Sequence, residues 1–181
     1  MARRFLLISV LVVLVALGTG ALVVTGRSTL QSSRDAVDAR WAGLRTPLGN
    51  RYQALAKLPS ALVSAGVPSD RDYVHRLAVA GAEWDRAATR ADDPGREVVA
   101  ADELEGLAAR ARADIAASPR LSTDPGVTQA LAGFDSALVP PADVGAYNDA
   151  VRTYQHDRTS LARRPAALVL GFDARPLLVV G

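Results

Sequence analysis

From Phe5 to Thr25 the sequence runs 21 residues without a charge, FLLISVLVVLVALGTGALVVT. The hydrocarbon core of a bilayer takes about 20 residues of apolar helix, so this run reads as a transmembrane anchor. Arg3 and Arg4 precede it within the short basic terminus 1–4. The positive-inside tendency then keeps the N-terminus cytoplasmic and sends the body to the outer side of the membrane, with Arg27 reducing the contrast from the far side. A cleaved signal peptide is the rival, because Gly18, Thr19, Gly20 and Ala21 offer small residues for cleavage. The run exceeds the roughly 7–15 apolar residues of a signal's central region, which favours the uncleaved, single-pass anchor.

Charge and cysteine content narrow the classes further. The chain carries 21 Lys and Arg against 19 Asp and Glu; setting Arg3 and Arg4 aside leaves 19 basic residues and a neutral body. A nucleic-acid reader needs a concentrated cationic face, so nucleic acid is excluded as a partner. With no cysteine, a disulfide scaffold, a thiolate metal site and a thiol nucleophile are also excluded.

After Gly26 the pattern is helical. Val37, Trp41, Leu44, Leu48, Leu55, Leu58 and Leu62 follow a heptad seam, with Tyr52 beside its missing position. Pro47 and Pro59 fall on that run and predict a kinked or interrupted helix. Ser69, answered by Asp72, predicts the start of a second helix with the stripe Tyr73, Leu77, Ala80, Trp84, Ala87 and Ala91. Asp92-Asp93-Pro94-Gly95 breaks it. A third helix over 96–118 places Ala100, Leu104, Leu107, Ala111 and Ile115 on one face, and Pro119 ends it. Asp124-Pro125 opens a fourth through Val127, Leu131, Phe134 and Leu138. Helix resumes after Pro140-Pro141 with Val144, Tyr147, Val151, Tyr154 and Leu161, either as one kinked helix or as two.

These stripes predict an all-α chain: an antiparallel four-helix bundle with coiled-coil-like packing over 27–163, behind the anchor at 5–25. An apolar arm over 164–181, containing Leu168 to Leu170, Phe172 and Leu177 to Val180, follows. Packing against the bundle is the main expectation for the arm, and contact with a membrane surface is the alternative.

Val37-Asp38-Ala39-Arg40-Trp41, then Arg51-Tyr52 and Leu58-Pro59, resemble the opening motifs of the LemA family. Tyr147-Asn148-Asp149-Ala150-Val151-Arg152-Thr153-Tyr154-Gln155 is similar to that family's Y-N-x-x-V-x-x-Y-N phrase. Arg164-Pro165 and Gly171-Phe172 follow in the places of its closing motifs. Ser60 and Gln155 stand where the family carries Asn. The resemblance implies a bacterial single-pass membrane protein with a four-helix bundle, and no established catalytic activity. It also singles out Val37, Asp38, Trp41, Arg51, Tyr52, Pro59, Tyr147, Asn148, Val151, Tyr154, Gln155, Pro165, Gly171 and Phe172 as structural motif residues.

Little else suggests chemistry. Tyr147, Val151 and Tyr154 share a helical face, and the simplest reading packs their rings inside, with hydroxyls and neighbouring amides meeting polar backbone. The two histidines, His75 and His156, lack the helical spacing of a metal site beyond Asp72/His75. Asp102, Glu103 and Glu105 lack the Glu-x-x-His partners of a di-iron bundle. No G-x-S-x-G or phosphate-binding glycine loop occurs. No cofactor is expected. The sequence points to a non-enzymatic scaffold or interaction protein of the cell envelope, with an envelope or membrane protein as partner, or with self-association. A sensory, small-ligand-binding bundle is the alternative.

Overall fold

The computed structural model describes the backbone of residues 2–91 and 93–181, and the side chains of 26–91 and 93–181. Its helices are α1 (Ala2–Leu55), α2 (Leu58–Ser64), α3 (Asp72–Arg90), α4 (Pro94–Ala116), α5 (Pro119–Ser122), α6 (Pro125–Ser136), α7 (Pro141–Thr159) and α8 (Arg164–Val169). Among the described residues there is no strand, so the chain is all-α. None of their helices is long and apolar enough to cross a membrane. The apolar run at 5–25, with the anchor read there, lies outside the described side chains.

Chain contacts define two compact units. One holds residues up to Val37 with Asp149–Arg175; the other holds Asp38–Asn148 with Pro176–Gly181. In the larger unit α3 packs along α4 and α2 packs on α6. Its core buries Trp41, Leu44, Leu48, Tyr52, Leu55, Leu77, Trp84, Leu104, Phe134 and Tyr147. The aromatic rings meet in sequence: Trp41 lies 6.5 Å edge-on from Trp84 and 5.3 Å from Tyr147, and Tyr52 lies 4.8 Å from Trp84. Tilted and edge-to-face rings at these separations match positive edges to negative faces.

Several local expectations need correction. The run holding Pro47 and Pro59 is interrupted, as expected, but not at Pro47, through which α1 continues. The proline removes one donor, but Leu44, Leu48 and Arg51 on either side are all buried and hold both turns to the same interior. The break falls at Ala56-Lys57, and Pro59 sits in the first turn of α2, where its absent N–H costs no ladder bond. Ser69 does not cap α3. Its segment forms a turn in which the Arg71 N–H donates to the Pro68 carbonyl, and the helix starts at Asp72 without a side-chain cap. The inward stripe of α3 is therefore Val74, Leu77, Ala80 and Trp84, leaving Tyr73 half-buried and Ala91 outside.

α4 starts two residues earlier than expected, at Pro94, with the Asp93 carboxylate accepting from the Gly95 N–H. All five apolar residues expected on its face are buried. Asp124 caps α6 by accepting from the N–H groups of Gly126 and Val127. The open question at Pro140-Pro141 resolves as two helices, α6 and α7. Leu138 is 77 % exposed and Leu161 is 90 % exposed, so neither belongs to the core. α6 has ended before Leu138, and Val139 is the residue buried instead.

Candidate functional site

The most organised polar groups lie on α4 and on the helices facing it. Glu97 and Glu105, two turns apart on α4, are both buried. Glu97 is fully buried and accepts from the Trp41 indole N–H at 2.7 Å. Arg45 donates to the same carboxylate through Nε at 2.8 Å and Nη2 at 2.7 Å. Arg45 Nη2 also reaches the carbonyl of Ala91 at 3.3 Å. Ala91 has φ +51°, a left-handed conformation unfavourable for a residue with a Cβ, and the Arg45 contact braces it. The hydrogen bond from Arg45 to Glu97 raises the guanidinium pKa, and burial opposes that.

Arg51 makes the second cluster. Its Nε and Nη2 grip Glu105 at 2.6 and 3.0 Å, the two-pronged geometry that makes Arg–carboxylate pairs strong. Nη1 donates to the carbonyls of Phe134 and Ala137, and Nη2 also donates to that of Gly181 at 2.9 Å. The guanidinium carbon sits 3.8 Å from the Phe134 ring centre, in cation–π contact. Tyr52, its neighbour, donates to the Ala101 carbonyl at 3.3 Å. Burial, followed by the Glu105 charge, pushes the Tyr52 hydroxyl well above the ordinary tyrosine range.

The amide and tyrosine residues of α7 hold the C-terminal segment by its main chain. Within the larger unit, Tyr147 donates to the Pro176 carbonyl at 2.9 Å. Asn148 meets Leu178 twice: its Nδ2 donates to the carbonyl, and its Oδ1 accepts from the N–H, each at 2.9 Å. Gly181 donates to Glu105 at 3.4 Å. Within the other unit, Tyr154 donates to the Asp173 carbonyl at 2.8 Å and Gln155 to that of Arg175 at 2.7 Å. Burial raises the Tyr154 pKa against the opposing charges of Arg34, Arg175 and Arg158.

The remaining motif residues have structural surroundings. Val37 and Val151 are fully buried, and Asp38 is half-buried and near enough to Arg45 to act on its charge. Pro59 and Pro165 occupy first turns of α2 and α8. Gly171 follows α8 at φ +67°, where the absence of a Cβ lets the chain reverse, and the N–H of buried Phe172 then donates to the Ala167 carbonyl. His75 and His156 are both exposed. Among the described residues no three His, Cys, Asp or Glu side chains gather as a metal ion requires.

Sequence reasoning singled out Arg51 and set Glu105 aside, while it overlooked Arg45 and Glu97. The signal was present: Glu97 precedes Ala101 and Leu104 by four and seven residues, which places an acid on the apolar face of α4. A further feature had no sequence signal. A cavity of about 430 Å³ opens between the α2–α3 connection, the first turn of α3 and the end of α4. Arg71, Arg120, Asp114 and Tyr73 line it, and burial followed by the Asp114 charge raises the Tyr73 pKa. No family model, curated protein or solved structure matches this chain.

Proposed function

We propose that this chain is a non-enzymatic, membrane-anchored scaffold or interaction protein of the bacterial cell envelope, a divergent LemA-like protein. The 5–25 run is its anchor in the inner membrane, the N-terminus is cytoplasmic, and the body is an antiparallel four-helix bundle outside the cytoplasm. The observation that carries this reading is the commitment of the motif side chains to the chain's own framework. Arg51, Tyr147, Asn148, Tyr154 and Gln155 all bind main-chain carbonyls of the helices or the C-terminal segment. Such groups stabilise a surface for partners rather than converting a substrate.

The test uses the full chain in intact cells. Protease added from outside, after permeabilisation of any outer layer, should remove the body; complete protection would overturn the orientation. Crosslinking followed by affinity recovery should return one envelope or membrane protein reproducibly, or a second copy of the chain. Recovery of uncrosslinked chain alone would overturn the interaction reading.

A second reading, a sensory bundle that binds a small molecule, is favoured by the cavity beside Arg71 and Arg120. Their guanidinium groups and the Asp114 carboxylate suit a small zwitterion. A rise in thermal stability with such a compound, lost in Arg120→Ala, would move the assignment to this class.

A further inference from the structure

We infer that α8 is a membrane-surface element: its outer side rests on an anionic phospholipid surface where the apolar run emerges. This rests on the anchor reading of 5–25, but it assigns a second, separate contact with lipid. The first observation is where α8 docks. Ala166 and Ala167 are buried, and a Cβ built on Gly26 would lie 3.1 Å from the Cβ of Ala166 and 3.8 Å from the Cα of Arg163. Gly26 is the residue immediately after the uncharged run. A side chain there would crowd α8, and glycine lets the two backbones approach at that level.

The second observation is what α8 leaves outside. Leu168 is 75 % exposed, Val169 73 %, and Leu170 and Leu161 are exposed as well. Leu168 and Val169 on α8, with Leu170 just after it and Leu161 in the turn before it, are exposed aliphatic side chains on a short segment docked beside the end of an apolar run, the kind of residues that enter the boundary between headgroups and acyl chains. The third observation is charge. Arg27 and Arg164 are exposed and, among the described residues, have no ion-pair partner. Arg163 pairs with Asp157. Guanidinium groups at this depth meet lipid phosphates while their stems stay in apolar surroundings. A second copy of the chain could cover the aliphatic side chains, but with Arg3 and Arg4 set aside its charges balance, 19 basic against 19 acidic, so it offers the two arginines less charge complementarity than an anionic phospholipid surface does.

Because the chain has no cysteine, single labels are straightforward. Leu168→Cys, Leu14→Cys within the run, and Leu138→Cys as an exposed control would each carry an environment-sensitive fluorophore on the full chain. The proteins would be reconstituted into phosphatidylcholine–phosphatidylglycerol vesicles with or without acyl-chain-brominated lipid. The expected result is a blue-shifted emission at 168, quenched at least about twofold by brominated lipid, as an interfacial element should be. Quenching at 14 is expected too, with none at 138. Quenching at 14 without quenching at 168 would overturn the α8 contact and leave the anchor standing. Quenching at 168 without quenching at 14 would overturn the anchor and leave α8 as a lipid contact of its own. A blue shift at 168 that brominated lipid does not quench, and that fades when labelled protein is diluted per vesicle, would assign the face to a second copy and overturn the proposal. Arg27→Glu with Arg164→Glu should reduce quenching at 168 in the anionic vesicles; unchanged quenching would remove the charge component.

Discussion

The interior of the larger unit and the outer side of α8 treat their residues in opposite ways. Around Arg51, nearly every polar atom is matched: Glu105 takes two prongs, three carbonyls take the rest, and Phe134 covers the guanidinium face. On α8, aliphatic side chains point outward and Arg164 has no ion-pair partner among the described residues. A buried charge persists only where its partners are complete. An exposed aliphatic cluster persists only if something covers it or its burial is not needed for folding. The interior therefore carries stability, while the exposed side chains of α8 contribute little to it and are the ones proposed above to meet lipid.

Glu105→Ala is the severest way to break that contrast. It leaves Arg51, 3 % exposed, buried without its counter-ion, and should cost about 3–5 kcal/mol in urea unfolding. Replacing both partners by apolar residues, Arg51→Met with Glu105→Leu, should cost far less, because no uncompensated charge remains. Equal losses in the single and double variants would show that packing, rather than pairing, governs this part of the core.

Asn148→Ala acts on a smaller scale. It removes both hydrogen bonds that hold Leu178, and should cost about 1–3 kcal/mol. Hydrogen exchange separates this from general loosening: the Leu178 amide should lose protection while amides in α4 keep theirs. Uniform loss across α4 would mean that the C-terminal segment supports the whole interior.

Much of the fold was legible because packing follows period. The seam Val37, Trp41, Leu44, Leu48 and the stripe Leu104, Leu107, Ala111, Ile115 all turned inward, since apolar residues at three- and four-residue spacing share a helix face. The helix boundaries were less legible. Ser69 carries a capping signature, yet a backbone turn from the Arg71 N–H to the Pro68 carbonyl takes its place, and the helix starts at Asp72. At Pro47 the helix continues, because tertiary burial on both sides outweighs one lost backbone bond, and the interruption falls nearer Pro59. The buried acids were visible only as exceptions, and reading Glu97 or Glu105 as paired requires knowing which arginine lies across from it. Long-range partners such as Arg51 and Gly181, 130 residues apart, leave no local trace.

Alkaline pH sharpens the contrast further. The Tyr52 pKa is raised by burial first and by the Glu105 charge second, so the folded state keeps this proton to higher pH than the unfolded chain does. Stability from this group is fully present below about pH 10, the unfolded value, and falls as pH rises beyond it. Tyr52→Phe should flatten the decline above that pH and change stability little at pH 7, since the hydroxyl's bond to Ala101 is long at 3.3 Å. An unchanged alkaline slope would assign the effect to Tyr154 and Tyr73, whose pKa values are also raised.

The smallest effect belongs to α8, and its smallness is the point. Leu168 and Val169 are about three-quarters exposed, so Leu168→Ser with Val169→Ser removes little buried surface and should change unfolding free energy by less than about 0.5 kcal/mol in detergent. The same pair of changes should weaken the brominated-lipid quenching of a fluorophore carried on Leu161→Cys, because the apolar area available to the interface shrinks. A loss of several kcal/mol in detergent would mean that these side chains are covered within the folded chain. The division between a self-satisfied interior and an outward-facing α8 would then fail at its clearest residues. A negligible change in stability together with weakened lipid contact would separate folding from function at the level of single side chains.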